Sequence, residues 1–189
     1  MTGRWQMLAA LTLCVAIFSA NWTVLTAAQE VIITDLALTP MSAVWLIYAF
    51  PIALLGVLIP VKGRLSVLLC GLAVFGLASA ACAFAVHGGM LIACRFGQGL
   101  AAAIVLRAGF ELIRTHFRGT RWWPALVIPV VAVVLGQIAG PVIGGILAEY
   151  AGFRWIFLLD VPLVIGAMVI VALCTPRFAP AAAADRYER

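Results

Sequence analysis

The chain has 189 residues, of which 66% are hydrophobic and 10% charged, and its mean hydropathy is +1.18. A soluble domain has an apolar share of about 45–50%, so this composition excludes a water-soluble globule and requires a bilayer as solvent. The formal charge of +5 would suggest an anionic partner on a soluble protein. Here it is read by its distribution along the chain, and no nucleic-acid partner is expected.

Six apolar runs are predicted as transmembrane helices, at roughly 7–28, 41–61, 65–86, 89–110, 124–148 and 154–174. Each has about 20 residues or more, and at about 1.5 Å of rise per residue that spans a hydrocarbon core of about 30 Å. The expected organisation is therefore a short N-terminus (1–6), one six-helix bundle (7–175) and a tail (176–189). The fold class is all-α integral membrane.

The basic residues alternate between connections. Arg4, then Lys62 and Arg64, then Arg114, Arg118 and Arg121, then Arg177, Arg186 and Arg189 fall before the first span and after the second, fourth and sixth, whereas Arg154 falls on the opposite side. The bias of Lys and Arg toward cytoplasmic loops predicts a multi-pass protein of the cell membrane with both termini in the cytoplasm. Trp122, Trp123 and Trp155 are expected as interfacial anchors.

The first span starts like a signal peptide, but Phe18-Ser19-Ala20 is a poor cleavage site and the apolar stretch continues to Ala28, so a retained helix is expected. Asn21-Trp22-Thr23 matches a glycosylation pattern at membrane depth, out of reach of a glycosylating enzyme. The five cysteines lie in apolar runs without C-x-x-C spacing and are expected to act as small hydrophobes rather than as disulfides or metal ligands. The span ends in Gln29 and Glu30, followed by a short polar link carrying Asp35.

Gly56 to Arg64 joins the second and third spans, and a tight turn flanked by the basic Lys62 and Arg64 accounts for it. In the fourth span Arg95, Gln98 and Gly99 are spaced i, i+3 and i+4 and share a helix face. A guanidinium at membrane depth costs about 2.5–3.5 kcal/mol on insertion scales, so Arg95 should face the bundle, a wet cavity or backbone carbonyls, or snorkel outward. Arg107 to Arg121 forms a basic amphipathic connector suited to anionic headgroups.

The fifth span carries Gly136, Gly140 and Gly144 at every fourth residue, a ridge without side chains where another backbone can approach, with Pro141 set inside it and Gly145 after it. Such a Pro survives in a bilayer when neighbours re-satisfy the freed carbonyl. Asp160 lies a turn or so inside the sixth span, either as a functional group or as an interfacial helix-start residue. The tail from Ala179 is of low complexity and expected to fray.

The Gly136, Gly140, Pro141, Gly144, Gly145 pattern resembles the fifth-helix signature of drug:proton antiporters of the major facilitator superfamily, the multidrug-efflux branch. Arg95-x-x-Gln98-Gly99 resembles that superfamily's fourth-helix motif, in which the resemblance links the Arg to proton coupling. Gly56, Leu58, Gly63 and Arg64 match parts of its gating loop, where Pro60 and Val61 replace an Asp and an Arg. The first-helix motif is altered too, with Asn21 where those proteins carry an Asp and Glu30 in place of a Pro. In the sixth-helix motif Phe153 replaces a Trp and Asp160 an Asn. Because Asn cannot titrate, the proton-linked duty of position 21 is expected to be lost, leaving Glu30 and Asp160 as membrane carboxyls near the outer surface.

The resemblance covers residues 7 to 175 and implies one six-helix half of a fold built from two. It implies a half-size or truncated efflux-type transporter of lipophilic small molecules, needing a homodimer or a second half. The alternative is a non-transporting membrane protein, a gene fragment or an interaction subunit. The expected partners are the lipid bilayer and a small lipophilic substrate. No nucleotide-binding, nucleophile-elbow or metal-ligand pattern occurs, so neither enzyme activity nor a cofactor is expected.

Overall fold

The computed structural model describes residues 2–60, 65–117 and 122–174, and all regular structure among the described residues is helical. The elements are α1 (Thr2–Ala27), α2 (Gln29–Asp35), α3 (Pro40–Leu54) extended by a 3₁₀ turn (Leu55–Leu58), α4 (Leu65–Ala83), α5 (Gly88–His116), α6 (Trp122–Tyr150) and α7 (Arg154–Cys174). Six of these are long and apolar enough to cross a membrane. Lys62, Gly63, Arg64, Arg118, Arg121 and the 176–189 tail lie outside the described residues, as do the side chains of Arg4, Trp122 and Trp123.

Local chemistry sets the helix ends. The Thr39 hydroxyl accepts from the Ser42 N–H at 3.3 Å, with Pro40 opening α3. His87 Nδ1 accepts from the Met90 N–H at 3.0 Å to start α5, which gives this histidine a capping duty. Past the end of α6, Gly152 adopts φ +83, a left-handed conformation that a residue with a Cβ resists. Arg154 NH1 donates to the carbonyl of Ala83 at 2.8 Å. This basic residue thus neutralises the end of α4, where carbonyls lack partners.

Several boundaries depart from expectation: α1 starts at Thr2, within the expected 1–6 N-terminal segment, and α4 ends at Ala83 rather than 86. The polar link after the first span contains a helix, α2, because Ile32 is fully buried while Glu30 and Asp35 stay exposed, so a short amphipathic turn is favoured. The fourth span continues to His116 rather than 110 because Arg107 and Arg114 pair with Glu111 at 3.1 and 3.9 Å one turn apart.

The most extensive helix pair is α1 with α6. Along α6 the buried positions are Ala125, Pro129, Ala132, Gly136, Gly140, Gly144 and Ala148, a stripe of small residues, while nearly all others are exposed and apolar. A Cβ at Gly136 would lie 2.7 Å from the Ala16 carbonyl, one at Gly140 would overlap Thr23 and sit 3.0 Å from the Ala20 carbonyl, and one at Gly144 would overlap the Val24 backbone. Ser19 Oγ donates across the joint to the Val133 carbonyl at 2.8 Å. Gly145 departs from the expected packing role, since a Cβ there would meet no atom within 4 Å. The helix runs through Pro141, which faces outward.

Candidate functional site

Burial forces polar groups to find partners, and in this bundle the buried polar side chains converge. Asn21, Ser79, Arg95, Gln98 and Asp160 are the buried polar or charged residues among those described. They come from α1, α4, α5 and α7 and close into one ring. Arg95 NH1 donates to Asn21 Oδ1 and, at 3.1 Å, to Gln98 Oε1. Asn21 Nδ2 donates to Asp160 Oδ2. Gln98 Nε2 donates to Ser79 Oγ at 2.7 Å, and Ser79 Oγ donates to the same Asp160 oxygen at 3.4 Å. Cys82 Sγ donates to Gln98 Oε1 at 3.5 Å.

The Arg95 guanidinium also lies over the rings of Phe50 and Phe157, at 4.8 and 5.9 Å from their centroids. Cation–π attraction strengthens as a site dries, so the two rings offset part of the desolvation of this fully buried cation. Its Nε has no partner. Asn21, rather than direct contact, links the cation to the carboxyl.

The meeting of residues up to 139 positions apart follows from depth. Spans alternate in direction, and Asn21, Ser79, Arg95 and Asp160 each lie about 6–11 Å from the helix end on one side of the bundle, at about 1.5 Å per residue. On every contributing helix the ring also divides two apolar clusters: Phe18, Phe75, Ala101 and Val164 belong to one, and Val24, Cys82, Leu91 and Phe157 to the other.

Several expected site residues behave differently. Asp160 lies six residues into α7 and is buried inside the bundle, where Asn21 and Ser79 donate to it. Arg95 is held by side chains, not backbone carbonyls or snorkelling. Gly99 leaves the polar face: its Cβ position meets Ala53 Cβ at 2.6 Å and overlaps the Phe50 carbonyl, so it lets α5 lie against α3. Glu30 is exposed on α2, apart from the ring. Gly56 has ordinary contacts, Ala103 and Leu100 at 3.5 Å, and Gly63 and Arg64, the rest of the gating-loop match, lie outside the described residues. Sequence reasoning missed Ser79, Cys82, Phe50 and Phe157. Counting depth from the helix ends finds the first two.

Two cavities flank this framework. One of about 400 Å³ lies toward the opposite end, between α1, the 3₁₀ turn, α5 and α6, lined by apolar residues such as Leu11, Val57, Leu106 and Pro129 with Arg107 as the charged group. A smaller one of about 120 Å³ between α1, α6 and α7 includes Asn21 and Asp160 in its wall. Among the described residues no cluster of three His, Cys, Asp or Glu could hold a metal.

Residues 11–188 match the family model described as Major Facilitator Superfamily. The chain is 32% identical over 167 residues to the cephamycin export protein CmcT of Amycolatopsis lactamdurans, covering 84% of this chain and 34% of that protein. It is 29% identical to the multidrug resistance protein B homolog of Mycobacterium tuberculosis (85% and 31% covered) and 28% identical to the lincomycin resistance protein of Streptomyces lincolnensis (90% and 36%). The chain thus spans about a third of the length of these curated relatives. Its fold is also that of a bacterial homolog of the human lysosomal transporter Spinster, solved inward-facing and unoccupied, with a TM-score of 0.64, 17% identity, and coverage of 95% of this chain and 44% of that one.

Proposed function

Because this multi-pass membrane chain belongs to the major facilitator superfamily, we propose that it forms one six-helix half of a drug-efflux transporter. The half would bind lipophilic small molecules and work with a second six-helix unit, another copy or a separate partner. The observation that carries this reading is the apolar cavity of about 400 Å³ between α1, α5 and α6, within the range of about 300–1,000 Å³ usual for small-molecule sites. The export and resistance proteins among its relatives support it. The ring of Asn21, Ser79, Arg95, Gln98 and Asp160 is the proposed coupling centre, since it ties four helices through one network. Both termini are assigned to the cytoplasm of a cell-membrane protein from the placement of basic residues.

The test uses ethidium, a lipophilic cation. The chain in lipid nanodiscs should bind it, and cells depleted of their own pumps should retain less of it when the chain is expressed with its partner unit. Leu106→Trp, which fills the cavity, should abolish binding, and Val86→Trp, at an exposed outer position, should not. Absence of both binding and efflux would favour the non-transporting alternative.

A further inference from the structure

We propose that Cys82 and Cys94 form a dithiol site that a peroxide closes into an intramolecular disulfide between α4 and α5. The site goes beyond the transporter reading and does not depend on it, because its closure can be measured without any substrate.

The register of the α4–α5 pair brings the two thiols together. The helices run antiparallel around a short turn, and Gln98 Nε2 donates to Ser79 Oγ at 2.7 Å across them. A Cβ at Gly97 would lie 4.0 Å from the Ala78 Cβ. One turn outward on each helix, Ala78 is followed by Cys82 and Gly97 is preceded by Cys94. The cysteines thus occupy the next facing pair, and residues bridged by a disulfide have Cβ atoms about 3.5–4.5 Å apart. Their thiols are already within hydrogen-bonding reach of each other, and both pack in the same apolar cluster. Cys14 belongs to the other cluster, and Cys70 is exposed farther along α4. The pair needs no C-x-x-C spacing, because the turn between the helices folds the chain back.

Cys82 is fully buried, whereas Cys94 is partly exposed, so Cys94 meets the oxidant first. Its sulfur attacks one peroxide oxygen, the O–O bond breaks, and water leaves with the thiol proton, giving a sulfenic acid. The Cys82 sulfur then attacks the Cys94 sulfur. The S–S bond forms, the S–O bond breaks, and a second water carries off the second proton. Two thiols are oxidised and one peroxide is reduced to two waters. With both termini assigned to the cytoplasm, the α4–α5 turn is on the outer side, where disulfides persist. Closure removes the hydrogen that Cys82 donates to Gln98 Oε1 at 3.5 Å, but Arg95 NH1 still donates there at 3.1 Å, so the polar ring survives oxidation. Among the described residues no third His, Cys, Asp or Glu joins the pair, which leaves it short of the tetrahedral ligand set of a structural zinc.

The test uses Cys14→Ala/Cys70→Ala/Cys174→Ala protein in lipid nanodiscs, where Cys82 and Cys94 are the remaining cysteines. Hydrogen peroxide is expected to consume both free thiols together, with loss of the mass of two hydrogens, an unchanged helical circular dichroism spectrum and full recovery of the thiols in dithiothreitol. In the parent chain, digestion after the same treatment should yield Cys82 and Cys94 in one linked peptide pair. In the triple-alanine background, Ala93→Cys/Cys94→Ala moves the second thiol about 100° around α5, and no internal disulfide should form. Thiols that survive peroxide, or gain oxygen without linking, would overturn the site, as would a linkage between two copies in place of the internal one. Closure of the Ala93→Cys pair as readily as the native pair would overturn the facing register.

Discussion

At the scale of residues, Arg95 is the costly choice that the other side chains accommodate. Removing one member of a buried charged network leaves the rest unpaired, at a cost of about 3–5 kcal/mol, so Arg95→Ala should lower the thermal midpoint strongly in a fluorescence melt in detergent. Arg95→Lys should rescue little of it, because an ammonium whose nitrogen takes the place of NH1 between Asn21 and Gln98 leaves no delocalised group over the rings of Phe50 and Phe157. A melt of Arg95→Lys matching the parent would show that charge alone matters and the guanidinium over the rings does not. Arg154 makes a milder case. Its bond to the Ala83 carbonyl is at the rim, and Arg154→Ala should cost about 0.3–1 kcal/mol. The sequence announces Arg95 by expense alone, since any guanidinium at membrane depth demands partners. Which partners it takes is legible only once spans are aligned by depth. Read one motif at a time, Asn21 looks like a lost carboxyl and Asp160 like a stray one. The fold makes them neighbours.

At the scale of elements, the glycine ridge is the clearest translation of sequence into packing. Three glycines at every fourth residue imply a close backbone, and α1 supplies it at Ala16, Ala20 and Val24. Gly140→Leu should therefore destabilise by about 1–3 kcal/mol, by analogy with overpacked cores. The proper control is Gly145→Leu on the same helix, where no atom lies within 4 Å. Gly152, a loop glycine that looks permissive in the sequence, is not one, because its φ of +83 strains any side chain. Equal melts for the Gly140 and Gly145 variants would show that the ridge contributes no packing energy. The short helix α2 and the extension of α5 escape a reading by apolar runs for a related reason. Each is stabilised by one buried residue or one ion-pair row, signals too short to stand out in a hydropathy pattern.

At the scale of the whole molecule, the composition demands a membrane and the run lengths supply six crossings, yet the cavity between α1, α5 and α6 is invisible in the sequence. It arises because α6 binds α1 through a single narrow stripe and touches α5 and α7 only sparsely, so space opens on both sides of it. The outward face of α6, including Val127, Val131, Val134 and Ile138, is apolar and exposed. Lipid can cover such a face at no penalty, so exposure by itself does not require a protein partner. The large cavity is a stronger reason, because it lies between α5 and α6, which touch each other only sparsely. A second six-helix unit over α5 and α6 would close it. If that unit is another copy, both copies must insert the same way, since identical charge patterns give identical topology. Single cysteines at Thr39 and Thr120, in a background without native cysteines, should then show opposite accessibility to an impermeant thiol reagent in intact cells, Thr39→Cys labelled and Thr120→Cys protected. Val127→Cys should form an intermolecular disulfide on oxidation in native membranes, whereas a cysteine at exposed Leu77 on α4 should not. Labelling of Thr120→Cys from outside would overturn the topology. Equal cross-linking from α4 and α6 would show that copies collide at random rather than pair across the cavity.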